Sequence, residues 1–127
     1  MSEIISRELL SEVLNIENER ISKRVDRFCF PSDNIITVAY YMEDGWQHLN
    51  IYELAHKCKE WALTNGYRLC SYPKLTISGH PYMCDVFNGI GSDKKCLIII
   101  GEDTEPEAIF KACQWILDNK DNKNETN

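Results

Sequence analysis

The segment 51–62, IYELAHKCKEWA, constrains this chain most: Ile51, Leu54, Ala55, Cys58, Trp61 and Ala62 recur at helical spacing, with strand-like runs on both sides. Asn50 and Glu53 supply an N-x-x-E start that resembles a capping box, with Asn where Ser or Thr is usual. Asn65-Gly66 ends the helix, the glycine taking the left-handed position after the last turn. Ahead of it, IITVAYYM is β-branched and aromatic and reads as a strand; EDGW turns the chain, and WQHLN pairs back as a hairpin. Behind it, YRLCSYPKLTI and YMCDVFN read as strands around SGHP, and KKCLIII as a buried central strand ending at Gly101. Pro73 marks an edge or a bulge.

Two further helices bracket this middle. Ser6 caps a short helix with Leu9, Leu10, Val13 and Leu14 on one face and Asn15 as its stop, and Ile5 and Leu10 stand at hydrophobic-staple spacing. Weak alternation then predicts a strand around residues 19–29, followed by the turn residues Pro31, Ser32, Asp33 and Asn34. Near the C-terminus, Thr104 and Glu107 have the T-x-x-E spacing of a capping box, with Pro106 in the first turn. Ile109, Ala112, Cys113 and Ile116 make the core stripe, flanked by Phe110 and Leu117. The order is α-β-β(-β)-α-β-β-β-α. That predicts an α+β domain of three helices and an antiparallel or mixed sheet of about five strands over residues 1–118. Residues 119–127 lack apolar side chains and read as a frayed polar tail.

Composition narrows the function. With 43% hydrophobic residues in 127, the chain is long enough for one core and too short in apolar runs to span a bilayer. The start, MSEIISRELL, lacks the basic and apolar regions of a secretion signal, so a cytoplasmic location is expected. The six cysteines are then reduced thiols, and Cys58 and Cys113 lie on apolar helix faces where cysteine packs as a small hydrophobe. A net charge of −6 disfavours direct nucleic-acid binding. The basic group Arg20, Lys23, Arg24 and Arg27 is offset by Glu17, Glu19 and Asp26.

Few residues form a catalytic pattern. Cys70, His80, Cys84 and Cys96 are the best metal candidates by ligand type, yet they contain no C-x-x-C pair and match no zinc spacing. His56 and Cys58 point to different helix faces. Asp85, Asp93, Glu102 and Asp103 are acids at strand ends and helix starts, where solvation is the ordinary state. NGIGSDKK precedes a strand, so it lacks the context of a phosphate loop and reads as a hairpin turn. No cofactor is expected.

Two features point instead to partner binding. Tyr40 and Tyr41 fall on opposite strand faces, so at least one faces outwards. Glu102, Asp103 and Glu105 surround a helix start that needs only Thr104 and Glu107 for its cap, which leaves three acids for a basic partner surface. The segments LNIYELAHKCKEWALTNGY, TEPEAIFKACQWIL and ISRELLSEVL resemble small accessory proteins of tailed phages and prophages of Gram-negative bacteria. The matching segments are structural helices, so the resemblance implies a fold and a genomic setting and no catalytic residue. Such a setting implies a non-catalytic inhibitor of a host protein or nucleoprotein complex, such as an anti-CRISPR protein directed at a CRISPR effector. A toxin-immunity protein, or a small metal-binding or enzymatic domain using Cys70, His80, Cys84 and Cys96, are the alternatives.

Overall fold

The computed structural model describes residues 4–21, 25–30, 35–74, 79, 81–88 and 95–125. It is an α+β protein whose described residues form three α-helices and six strands, the strands making two three-stranded antiparallel sheets where one sheet of about five was expected. By its internal contacts the chain divides into two compact units, Met1–Lys57 and Cys58–Asn127.

In the first unit, α1 spans Arg7–Leu14 and is closed at both ends by the residues expected to close it. The Ser6 hydroxyl accepts from the Leu9 N–H at 3.1 Å, and Asn15 takes the left-handed conformation (φ 56°) that ends the helix. Ile5, Leu9 and Leu10 are buried, as the staple spacing requires. The strand expected around 19–29 is shorter: Asn18–Arg20 forms a 3-10 turn, and β1 covers only Val25–Phe30. Residues 22–24 lie outside the described residues. Strand β2 is Ile35–Met42 and β3 is Gly45–Asn50. They form the expected hairpin, closed at the Met42–Gly45 pair. Gly45 has φ +120°, a conformation that side-chain-bearing residues rarely adopt. The turn expected at Pro31 to Asn34 lies outside the described residues. The sheet order is β1-β2-β3.

Helix α2, Ile51–Thr64, starts on Asn50, whose side-chain oxygen accepts from the N–H groups of Tyr52 (2.9 Å) and Glu53 (3.3 Å). Its expected stripe is buried from Ile51 to Ala62. Gly66, at φ +89°, turns the chain out of the helix.

The second unit holds β4 (Tyr67–Pro73), β5 (Tyr82–Asn88), β6 (Lys95–Glu102) and α3 (Glu105–Glu125). The sheet order β4-β5-β6 overturns one expectation: the apolar run of β6 is an edge strand, and β5 is central. Helix α3 packs across all three strands, on the face where Cys84 and Val86 of β5 are fully buried. On the opposite face Cys70, Asp85 and Ile99 stand in register, and Ile99 is 55% exposed. A continuous apolar run suggests burial on two faces, but Ile99 shows that β6 is not buried throughout. Pro73 sits at the end of edge strand β4, where its missing N–H breaks no ladder. The NGIGSDKK turn falls largely outside the described residues.

Helix α3 starts on Thr104, whose oxygen accepts from the Glu107 N–H at 3.3 Å and whose hydroxyl donates to the Glu107 carboxylate at 2.9 Å. Phe110 is fully buried and belongs to the core stripe with Ile109, Cys113 and Ile116, where a flanking place was expected. The helix continues past Asn119 to Glu125. No Gly or Pro follows Asn119 to stop it, and Asn119 itself donates to the Trp115 carbonyl at 2.7 Å. Thr104→Ala is expected to cost about 1 kcal/mol of stability, read as a lowered midpoint in urea, because it orphans the Glu107 N–H. An unchanged midpoint would mean that water replaces the cap without loss.

Candidate partner-binding site

The residues suggested as a metal centre do not converge. Cys84 is buried on the α3 side of the second sheet, whereas Cys70 and Cys96 are exposed on its edge strands. Cys70 pairs with Asp85, one residue along from Cys84, so pleating sends the two cysteines to opposite faces. His80 lies outside the described residues. Among the described residues no three His, Cys, Asp or Glu side chains group closely enough to hold a metal ion. On α2, His56 is exposed and Cys58 buried, as their spacing implies.

Burial also determines the thiol chemistry. The Cys84 thiol is pushed from 9.0 up to about 12, chiefly by burial and secondarily by the neighbouring Cys113. Cys113 is raised too, first by its hydrogen bond with Cys58 and then by burial; its Sγ lies 3.4 Å from the Cys58 carbonyl oxygen. Thiols held protonated are poor nucleophiles and poor metal ligands at neutral pH. Ellman's reagent is expected to titrate Cys29, Cys70 and Cys96 at once in the native protein, and Cys58, Cys84 and Cys113 only after unfolding. Rapid labelling of all six in native buffer would contradict this burial.

The acids before α3 are more occupied than their sequence suggests. Glu102 lies inside β6 and forms an ion pair with Lys111 at 2.8 Å, its own side chain only 16% exposed. That contact holds the Lys111 ammonium above its ordinary pKa, the hydrogen bond being the larger cause. Glu105 accepts from the Ser71 hydroxyl at 2.8 Å and so ties α3 to β4. Asp103 is the exposed member of the three. Asp85 accepts from the Tyr72 hydroxyl at 3.0 Å, and Asp93 lies outside the described residues. Of the basic group, Arg20 pairs with Glu43 at 3.0 Å, and Lys23 and Arg24 fall outside the described residues.

The two tyrosines of β2 separate as alternation demands. Tyr40 is 9% exposed, with its phenol pKa raised by burial, and Tyr41 is 43% exposed. Tyr40 shares its face with Val25 and Val38, both buried. The other face of the same sheet is aromatic and open. Its residues follow from the strand register: Phe28 opposite Thr37, Asp26 opposite Ala39 and then His48, and Tyr41 opposite Trp46. Small side chains on the central strand put a trough between larger ones on the two edge strands. Asp26, Phe28, Ala39, Trp46 and His48 line this cleft, whose volume is about 340 Å³.

Its walls are braced. Tyr41 and Trp46 meet edge to face at 5.4 Å, and Phe28 and His48 do so at 5.3 Å. Beneath them Thr37 donates to the Phe28 carbonyl at 3.3 Å, and its oxygen lies 3.1 Å from His48 Nδ1. Phe28, Tyr41 and Trp46 are 43%, 43% and 50% exposed. Single exposed aromatics are ordinary, whereas three on one braced sheet face make a candidate contact surface.

Of this site the sequence signalled Tyr41, as one of the pair Tyr40 and Tyr41 of which at least one faces outwards. Trp46 could have been placed beside it, because the EDGW turn makes them partners. Phe28 and Asp26 could not, because their register depends on the β1–β2 pairing, which no local turn signal specifies. No protein-family profile, curated protein or solved structure matches the chain. Among the described residues no helix is long and apolar enough to cross a membrane.

Proposed function

We propose that this protein is a non-catalytic inhibitor, encoded by a phage, that acts by binding a host protein or nucleoprotein complex. The observation that carries the reading is the open aromatic face of β1, β2 and β3, with Phe28, Tyr41 and Trp46 exposed around a cleft. Tyrosine and tryptophan dominate binding hot spots because they bury large area at small entropic cost. The phage-like helical segments supply the setting, and a CRISPR effector is one complex of the right kind. The net charge of −6, with Asp103 exposed, draws the protein towards a basic partner. Buried, protonated thiols and carboxylates engaged by Lys111, Ser71 and Tyr72 argue against catalysis.

The test is affinity capture from host lysate with wild type and a Tyr41→Ser, Trp46→Ser double variant in parallel. A protein retained by wild type and lost from the variant, with the variant's melting curve unchanged, is the expected result. Equal recovery by both proteins would remove this face from the function.

A further inference from the structure

Of the four edge strands among the described residues, β6 is the least guarded against pairing with another chain. Edges are usually blunted by charged side chains or proline, because their unpaired N–H and C=O groups are a template for a further strand. Strand β1 carries Asp26 and Arg27, β3 carries Gln47 and His48, and β4 carries Arg68 and ends on Pro73. Strand β6 instead runs through Cys96, Leu97, Ile98, Ile99 and Ile100 without a polar residue. Its one irregularity is a register shift at Leu97, which leaves Ile98–Glu102 in regular pairing with β5. Among the described residues no strand pairs with its outer side, and Ile99 is 55% exposed.

We propose that β6 pairs antiparallel with β6 of a second copy of this chain, about a two-fold axis at Ile99. Residues directly opposite in an antiparallel pair share a face, so Ile99 meets its own counterpart and Ile98 meets Ile100. The two sheets become one of six strands, with both α3 helices on one face and the Ile99 pair on the other. Opposed Cβ atoms at roughly 4.5–5.5 Å bury the two exposed side chains against each other. A second copy is favoured over a foreign strand because β6 is complementary to its own reverse. Its centre is apolar, it begins on the exposed Lys95, and it ends at the acids Glu102 and Asp103. Antiparallel pairing runs the basic start of each copy towards the acidic end of the other. Each chain carries a net charge of −6, but at physiological salt only charges within about 8 Å of the contact act strongly. The pairing closes on itself, and the edges left outermost are the guarded β4 strands, so assembly stops at two. This contact is separate from the aromatic face of the first sheet and does not rest on its role.

Sedimentation equilibrium of the full chain under reducing conditions, which excludes disulfide cross-linking, is expected to show a monomer–dimer equilibrium. Ile99→Lys sets like charges opposite each other at the axis and should raise the dimer Kd at least about tenfold. Leu63→Lys, at a 63% exposed position on α2, should leave that Kd unchanged. In wild type, the β6 amides that point away from β5 should exchange more slowly as protein concentration rises, while amides of β4 do not respond. A chain that stays monomeric up to about 1 mM overturns the proposal. So does a dimer that a folded Ile99→Lys variant leaves intact, or a dimer whose β6 amides exchange as in the monomer. Should Ile99→Lys fail to fold, judged by circular dichroism, the exchange measurement on wild type decides alone.

Discussion

Trp61→Ala is expected to lower the unfolding free energy by about 3–5 kcal/mol, the usual cost of truncating a buried aromatic side chain. Trp61 is 9% exposed and lies on the α2 stripe with Cys58 and Ala62, both fully buried. The loss combines apolar area returned to water with a cavity that rigid neighbours fill only in part. For a protein whose total stability is of the order of 5–15 kcal/mol, such a change removes a large share. Trp115, by contrast, is only half-buried on α3, so Trp115→Ala should cost less. Urea denaturation of the two variants beside wild type measures the difference. A Trp61→Ala midpoint equal to that of wild type would show that the buried face of α2 is wrongly placed.

Alkaline pH is expected to destabilise the fold through its buried thiols. Cys84 titrates near 12 in the folded state against 9.0 for an ordinary thiol. Unfolded chains therefore lose this proton from about pH 9 upwards, while the folded protein retains it. The contribution is intact below pH 9 and is lost progressively as pH rises towards 12. A gap of this size corresponds to roughly 4 kcal/mol at its upper end. Cys113, raised by its bond with Cys58 and by burial, acts in the same direction. Tyr40, raised by burial, does so as well. The measurement is the melting temperature from pH 8 to 11 under reducing conditions, for wild type and Cys84→Ala. Wild type should fall steeply above pH 9, and the variant, less stable at pH 8, should fall with a shallower slope. Parallel slopes would show that Cys84 does not titrate with the fold.

Legibility in the sequence followed the range of the interactions. Helix ends were readable because their chemistry is local: Ser6, Asn50 and Thr104 each satisfy N–H groups two or three residues away. The hairpin from β2 to β3 was readable for the same reason, since a short turn sets its register. Strand bounds were less secure before β1, where Asn18–Arg20 forms a 3-10 turn in place of the expected strand start. The acids before α3 illustrate a different loss. Glu102 and Glu105 look surplus to the helix cap, yet Lys111 and Ser71 engage them, one from a later helical turn and one from another strand.

What the sequence determined by itself is the set of elements: three capped helices, the strands between them, and the periodicity that says which residues of each share a face. Periodicity cannot say which face is covered, because alternation looks alike from either side of a sheet. Only the tertiary structure decided that β5 is central and β6 an edge, and that Cys84 faces away from Cys70 and Cys96. It also decided that Phe28, Asp26, His48 and Trp46, from two strands that never pair with each other, line one cleft across β2. Such neighbours are brought together by long-range pairing, and no short stretch of the chain encodes that distance.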